Sequence, residues 1–449
     1  MFDCQGHIID GDNNGYDYGI YLSGKQNNTI KNCVITDFWM EIRLDASSNN
    51  KLIGNTVVNS TGHGFGVYLT NSSNNTLTNN SMNSHNQCGI YLLNSSSNTI
   101  ISNTVNSNDV FGIRLYGSSS NTIINNVANS NPYGIYLDYS SDNNTIANNN
   151  ANSSWYGIYL DYSSNNNLLT NNKASSISLC YSSNNNILTD NTVSSSKHNG
   201  IKLDYSDNNT ITNNNVSSNG DDGIDLDYSD NNTIANNNVS SSKYNGITLD
   251  YSDNNTITNN NVSSNGDDGI DLDYSYNNNI TSNTVTLSEY NGITLDYSDN
   301  NTIINNNVSS NGDDGIDLDY SYNNNITSNT VILSEYNGIN LDYSDNNTII
   351  NNNVSSNGDD GIDLDYSNNN TISGNTANDN AYEGIFLDDS HNNTLMGNTA
   401  NNNPDDGIFL DSSSNNTLTF NTANNNSYGI QLYISSNNTL TFNTANNND

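Results

Sequence analysis

Four copies of Asp-Asp-Gly-Ile-Asp-Leu-Asp, starting at Asp221, Asp267, Asp313 and Asp359, give this chain its densest chemistry. Three carboxylates of each copy are expected to approach one another along a single strand edge. These are Asp222, Asp225 and Asp227; Asp268, Asp271 and Asp273; Asp314, Asp317 and Asp319; and Asp360, Asp363 and Asp365. Calcium takes six to eight oxygen ligands at about 2.3–2.6 Å, so carboxylates on neighbouring rungs suit a shared ion. Calcium is therefore the expected ion, as the screen of an acidic face. The alternative is a solvated face with diffuse counter-ions, since neither an EF-hand nor a glycine-rich nonapeptide occurs.

A second set lies nearer the start. Tyr21, Arg43, Tyr68, Tyr91, Arg114, Tyr136 and Tyr159 recur at nearly regular intervals. Aromatic faces beside guanidinium groups suit an acidic sugar chain, through ring contact and paired bonds to carboxylates. The plainer reading is that tyrosine is favoured on exposed strands. All nine basic residues fall within the first 243 positions, and the net charge is −38, so nucleic acid is not an expected partner.

An enzyme would need one local, unrepeated set of base, acid and charge neutraliser. Only Arg43, His63, His85 and Arg114, or Lys173, Lys197 and His198, stand outside the regular pattern, and none has a catalytic spacing. A binding or structural role is preferred to an enzymatic one. A lyase or epimerase acting on a polysaccharide is the enzymatic alternative.

The element that must position these residues is a repeat. Gly246-Ile247-Thr248-Leu249-Asp250-Tyr251-Ser252 returns one period later as Gly269-Ile270-Asp271-Leu272-Asp273-Tyr274-Ser275. A hydrophobic content of 32% would by itself suggest disorder. The period of about 23 residues overrules that, because repetition on this scale signals stacked units that share a core. The glycine recurs from Gly19 to Gly429, and two coils lack it, at Glu41–Leu44 and Ser176–Leu179, which makes about 19 coils. Within a coil, Ile224 and Leu226, then Asn232 and Ile234, then Asn237 and Val239 alternate with the period of strands. Ser229, Asn237 and Ser242 mark the corners. The expected fold is all-β: a right-handed parallel β-helix of three-strand coils, in all a rod of roughly 90 Å.

The pattern GIxLxxSxxNxIxxNxVxxN, present along almost the whole chain, resembles the repeats of NosD-like and carbohydrate-associated β-helix families, including many archaeal surface proteins. Phe2-Asp3-Cys4-Gln5-Gly6-His7-Ile8-Ile9-Asp10-Gly11 is similar to the first coil of such proteins, which normally follows an export signal. The resemblance implies the fold strongly and the function weakly, because lyases, epimerases, metal-delivery proteins, adhesins and fibres share it. Copper delivery, which the NosD-like name implies, would want clustered Met, His or Cys. Met40, Met82 and Met396, and His7, His63, His85, His198 and His391, are spread over separate coils.

One solenoid over 1–449 is expected, with irregular first coils (1–65), variable coils (66–199), near-identical two-coil repeats (200–383) and last coils (384–449). Asn237, Asn260, Asn283 and Asn306 are expected to form a structural ladder of side-chain amides. A tyrosine column from Tyr139 to Tyr366 is expected to stack on the outside. Asn231, Asn238, Asn254 and Asn300 begin glycosylation sequons. Cys4 and Cys33, about one coil and a corner apart, are expected to pair across the first two coils of an exported protein. No stretch reads as a membrane span, and Met1-Phe2-Asp3-Cys4 is not a signal peptide, so a removed leader or a piece of a longer protein is expected.

The first reading of function is an extracellular surface rod, structural or adhesive, whose copies assemble end to end or laterally. The alternative is binding or processing of an acidic polysaccharide or cell-envelope glycan.

Overall fold

The computed structural model describes residues 1–62 and 64–448. The chain forms two compact units, Met1–Asn219 and Gly220–Asp449, each an all-β stack of parallel strands. Among the described residues no helix is long and apolar enough to cross a membrane.

In the second unit one coil runs through strands Ile224–Asp227, Thr233–Ala235 and Asn238–Ser240. Each pairs in parallel with its copy in the next coil: Ile224 with Ile247, Ile234 with Ile257 and Val239 with Val262. Like residues therefore stack on like. Ile224, Leu226, Ile234 and Val239 are fully buried, and so are their counterparts as far as Ile408, Leu410, Leu418 and Ala423, whereas Leu432 and Leu440 of the last coil are exposed. Each buried aliphatic contributes about 1.5–3 kcal/mol, so four per coil sustain a core at a modest hydrophobic content.

The remaining interior positions are polar, and the asparagine column that includes Asn260, Asn283 and Asn306 is satisfied. The backbone N–H of Asn260 donates to Oδ1 of Asn283 at 2.9 Å, its Nδ2 donates to the same oxygen at 3.0 Å, and Nδ2 also donates to the Ile234 carbonyl at 2.9 Å. Ser252, Ser275 and Ser298 belong to a second ladder, each backbone N–H donating to the next hydroxyl at 2.9 Å. Without these bonds each buried amide would cost about 1–3 kcal/mol.

The repeat glycine is fixed by crowding. A Cβ on Gly246 would overlap Val262 Cγ1 and the Gly269 carbonyl oxygen. The glycine also interrupts the ladder. In the first unit Phe111 pairs with Tyr133 and Ile113 with Ile135, while Gly112 pairs with nothing between them. The side-chain alternation therefore slips by one at each glycine, as at a bulge.

Cys4 and Cys33 form a disulfide with Cα atoms 4.8 Å apart, and Cys88 and Cys180 are buried and free. The sequon asparagines Asn231, Asn238, Asn254 and Asn300 are all exposed, whereas the ladder asparagines beside them are buried.

Candidate functional site

The slip at each glycine builds the main surface feature of the first unit. It turns the residue before the glycine and the residue two after it to the same outer face. The strands Tyr18–Ser23, Phe65–Thr70, Tyr133–Asp138 and Tyr156–Leu160 each present two aromatic rings there, 5.1–5.4 Å apart, and Phe111–Tyr116 presents Phe111 beside Arg114. Phe65 lies 5.6 Å from Tyr91, Phe111 lies 5.0 Å from Tyr136, and Tyr133 stacks on Tyr156 at 5.1 Å.

The two arginines close the gaps between rings. The Arg43 guanidinium lies 5.0 Å from the Tyr18 ring centre and 5.7 Å from both Tyr21 and Tyr68. Arg114 lies 4.7 Å from Phe111, 5.3 Å from Tyr91 and 5.6 Å from Tyr136. The result is a continuous aromatic ribbon across seven coils, about 29 Å at six strand spacings.

All seven residues of the Tyr/Arg set lie in this ribbon, but the arginines differ from expectation. Arg114 donates to Asp138 at 2.7 Å and Arg43 donates to the Tyr18 hydroxyl at 2.7 Å, with Asp45 at 3.7 Å. Their charge is therefore largely answered within the protein. Asp138 and Asp161 are buried under the ribbon, where Asp161 accepts from the Tyr136 hydroxyl at 2.8 Å. Burial raises the Asp138 and Asp161 carboxyls and pushes the Tyr91 phenol up to about 12. The ribbon is thus a stacking surface with a hydroxyl fringe, whose two guanidinium charges are paired within the protein.

The enzymatic candidates are dispersed, apart from Lys197 and His198, which line one cavity. His85 is fully buried, so it cannot meet a substrate. Its Nδ1 lies 3.8 Å from Glu41, also fully buried, yet the two are no ion pair. Burial pushes Glu41 up to about 9 and His85 down to about 4, leaving both uncharged at neutral pH. His63 lies outside the described residues.

In the second unit the acidic copies recur on every second coil, as their regular spacing in the sequence requires. Before each glycine the column reads Asp222, Asn245, Asp268, Asn291, Asp314, Asn337, Asp360, Glu383. Each backbone N–H from Asn245 onward donates to the preceding side-chain oxygen at 2.6–3.0 Å. Carboxylates thus fall on alternate rungs with an amide between them, until Glu383 and Asp406 break the alternation. Two positions past the glycine, Asp271 accepts from Asn245 at 2.9 Å and Asp317 from Asn340 at 3.0 Å.

Burial, with neighbouring carboxylates, raises these groups: Asp222 to about 7, Asp268 to about 6, Asp314 to about 8, Asp317 and Asp363 to about 7. After the repeat leucine, Asp273, Asp296, Asp319, Asp342 and Asp365 occupy successive rungs, and each has a buried Oδ1 without a hydrogen-bond partner. Among the described residues no three His, Cys, Asp or Glu side chains are grouped as a ligand set for a metal ion. Beside this column seven tyrosines, Tyr228 to Tyr366, stack at 4.9–5.1 Å with planes within 5°.

The family model described as right handed beta helix region matches residues 8–151 and 325–449, more than half of the chain. The chain belongs to that family. A second model, periplasmic copper-binding protein (NosD), matches overlapping segments 170–307, 219–357 and 265–382. No curated protein matches the chain.

Solved structures similar to this β-helix include a variant of the periplasmic alginate epimerase AlgG, with 17% identity over 64% of this chain and 73% of that one and a TM-score of 0.40. The A-module of an Azotobacter vinelandii mannuronan C-5 epimerase is 14% identical over 86% of this chain and 91% of that one, with a TM-score of 0.38. The Dettilon tailspike protein is 15% identical over 82% and 62%, with a TM-score of 0.32. These likenesses concern the fold and carry nothing about activity. Copper does not fit the residues present: Met40, Met82, Cys88 and Cys180 are buried on separate coils, and Cys4 and Cys33 are paired.

Proposed function

We propose that this protein is an adhesive β-helix of the cell surface or periplasm that holds a polysaccharide along the aromatic ribbon of its first unit. The observation that carries this reading is the run of rings from Tyr18 to Tyr159 on one outer face, its gaps bridged by Arg43 and Arg114. Sugar rings present apolar C–H faces, and flat aromatic faces at regular intervals bind them by stacking, while the fringe of tyrosine hydroxyls meets their hydroxyl groups. A repeated surface suits a repeated ligand. The match to the periplasmic NosD family model supports a place outside the cytoplasm.

The test is binding to a panel of polysaccharides, with Tyr68→Ala and Tyr91→Ala as the decisive variants. Each lost ring is expected to weaken binding about threefold to tenfold. Unchanged retention would remove the reading. In the second unit calcium is the proposed counter-ion of the column from Asp273 to Asp365, whose orphaned oxygens suit a hard cation.

A further inference from the structure

The ribbon ends at a break in the repeat. Ile158 pairs with Ile177, a shorter step along the chain than its neighbours take, because Ser175-Ser176 stands where adjoining coils carry a longer rim. The next coil restores that rim, with Ile177 pairing with Ile201. Two serines therefore floor a notch about 10 Å wide, twice the strand spacing. Ser175 donates to the Ser154 carbonyl at 2.7 Å, and the Gly157 N–H donates to the Ser176 hydroxyl at 3.4 Å, so the floor is tied to the coil before it.

The walls differ in chemistry. Pro132, Tyr133, Trp155 and Tyr156 form one side, and Lys197 and His198 the other, around a cavity of about 350 Å³. That volume lies at the lower end of ligand sites. Trp155 is 78% exposed, which is costly for so large a ring unless something covers it. Tyr133 and Tyr156 are also the last stacked pair of the ribbon, so a chain lying along the ribbon runs into the notch. Lys202, in register with Ser178 and through it with Tyr159, adds a third basic residue at this end. In a chain of net charge −38, this gathers basic residues beside an exposed indole.

We infer that the notch is a subsite for an acidic pyranose, its carboxylate set against Lys197 and His198 and its ring face against Trp155. The inference rests on the glycan reading of the ribbon and adds the class of sugar. A neutral sugar stacks on the ribbon, and an acidic one is selected where stacking and positive charge meet.

The test is Trp155 fluorescence in a Trp39→Phe background, titrated with tri-galacturonate and, separately, with galactotriose. Tri-galacturonate is expected to shift the emission saturably and to bind more tightly than galactotriose. Lys197→Gln is expected to weaken the acidic ligand about tenfold and to leave the neutral one within twofold. Equal binding of the two ligands, an unchanged affinity in Lys197→Gln, or no response to tri-galacturonate would each overturn the subsite. Tyr68→Ala and Tyr91→Ala separate the two readings. If they retain polysaccharide like the parent while Trp155 still responds, the ribbon reading alone has failed.

Discussion

A carboxyl group sealed in the interior is the sharpest local feature of the first unit. Glu41 has both oxygens buried without partners, and burial raises it from 4.5 to about 9. The folded chain therefore holds a proton that the unfolded chain releases above about 4.5. Glu41 leaves stability fully present below that value and removes it progressively as pH rises towards 9. Glu41→Gln carries the neutral shape at every pH. Its melting temperature is expected to exceed the parent's at pH 8 and to match it at pH 4, and a constant difference across that range would contradict the assignment. Little of this was legible in the sequence, where Glu41 stood only in a coil lacking its glycine. His85 was open to a catalytic role until its coil placed it inside.

At the scale of the element, the ladders carry the fold. Asn306 Oδ1 accepts from the Asn283 N–H at 2.9 Å and from Asn283 Nδ2 at 3.0 Å, and its own Nδ2 donates to the Ile280 carbonyl at 2.9 Å. Asn306→Ala orphans these buried groups together, and thermal denaturation should show a loss of about 2–4 kcal/mol. A cost under about 0.5 kcal/mol, below that of one ordinary hydrogen bond, would mean that the ladder is not what sets the coil spacing. The ladder was readable because its period matches the core's.

The stacked tyrosines show a different balance. Tyr228 to Tyr366 sit at φ of 45–46°, a conformation costing about 1–2 kcal/mol for a side chain of this kind, and ring stacking offsets about 0.5–1.5 kcal/mol of it. Half of the ribbon was not readable. Simple alternation turns Tyr18, Phe65, Phe111, Tyr133 and Tyr156 away from Tyr21, Tyr68, Tyr136 and Tyr159. The slip at each glycine brings them together, and period-two reasoning has no means of placing a bulge. The notch had a signal, the short step from Gly157 to Ser176, but its walls come from coils on both sides.

Across the whole molecule the two units divide the chemistry. The first holds the aromatic ribbon and most of the basic residues, and the second holds the acidic columns. Asp268, Asp314 and Asp317 stand near 3.8 when unfolded and at about 6, 8 and 7 when folded, each raised first by burial. Folding takes up protons between these values, so their contribution is greatest below about 4 and is lost as pH rises through 6 to 8. The melting temperature is expected to be higher at pH 5 than at pH 8, and calcium at pH 8 should recover part of the difference beyond sodium at equal ionic strength. Equal recovery by the two salts would reduce calcium to a diffuse counter-ion, and a melting temperature that rises with pH would contradict the burial of the columns.

Regular spacing, a buried aliphatic core and interior amide ladders made the architecture legible from residues such as Ile224, Leu226 and Asn237. The direction of the arginines was not, because Asp138 and Tyr18 claim them only once the coils are stacked.

The central claim is that the ribbon binds a glycan. Affinity electrophoresis of the intact protein through gels containing neutral and acidic polysaccharides tests it most directly, with Tyr68→Ala/Tyr91→Ala run alongside. Retardation of the parent by at least one polysaccharide, and its loss in the double variant with the melting temperature kept within a few degrees, is the predicted result. Equal migration of the parent and the variant in every gel would contradict it.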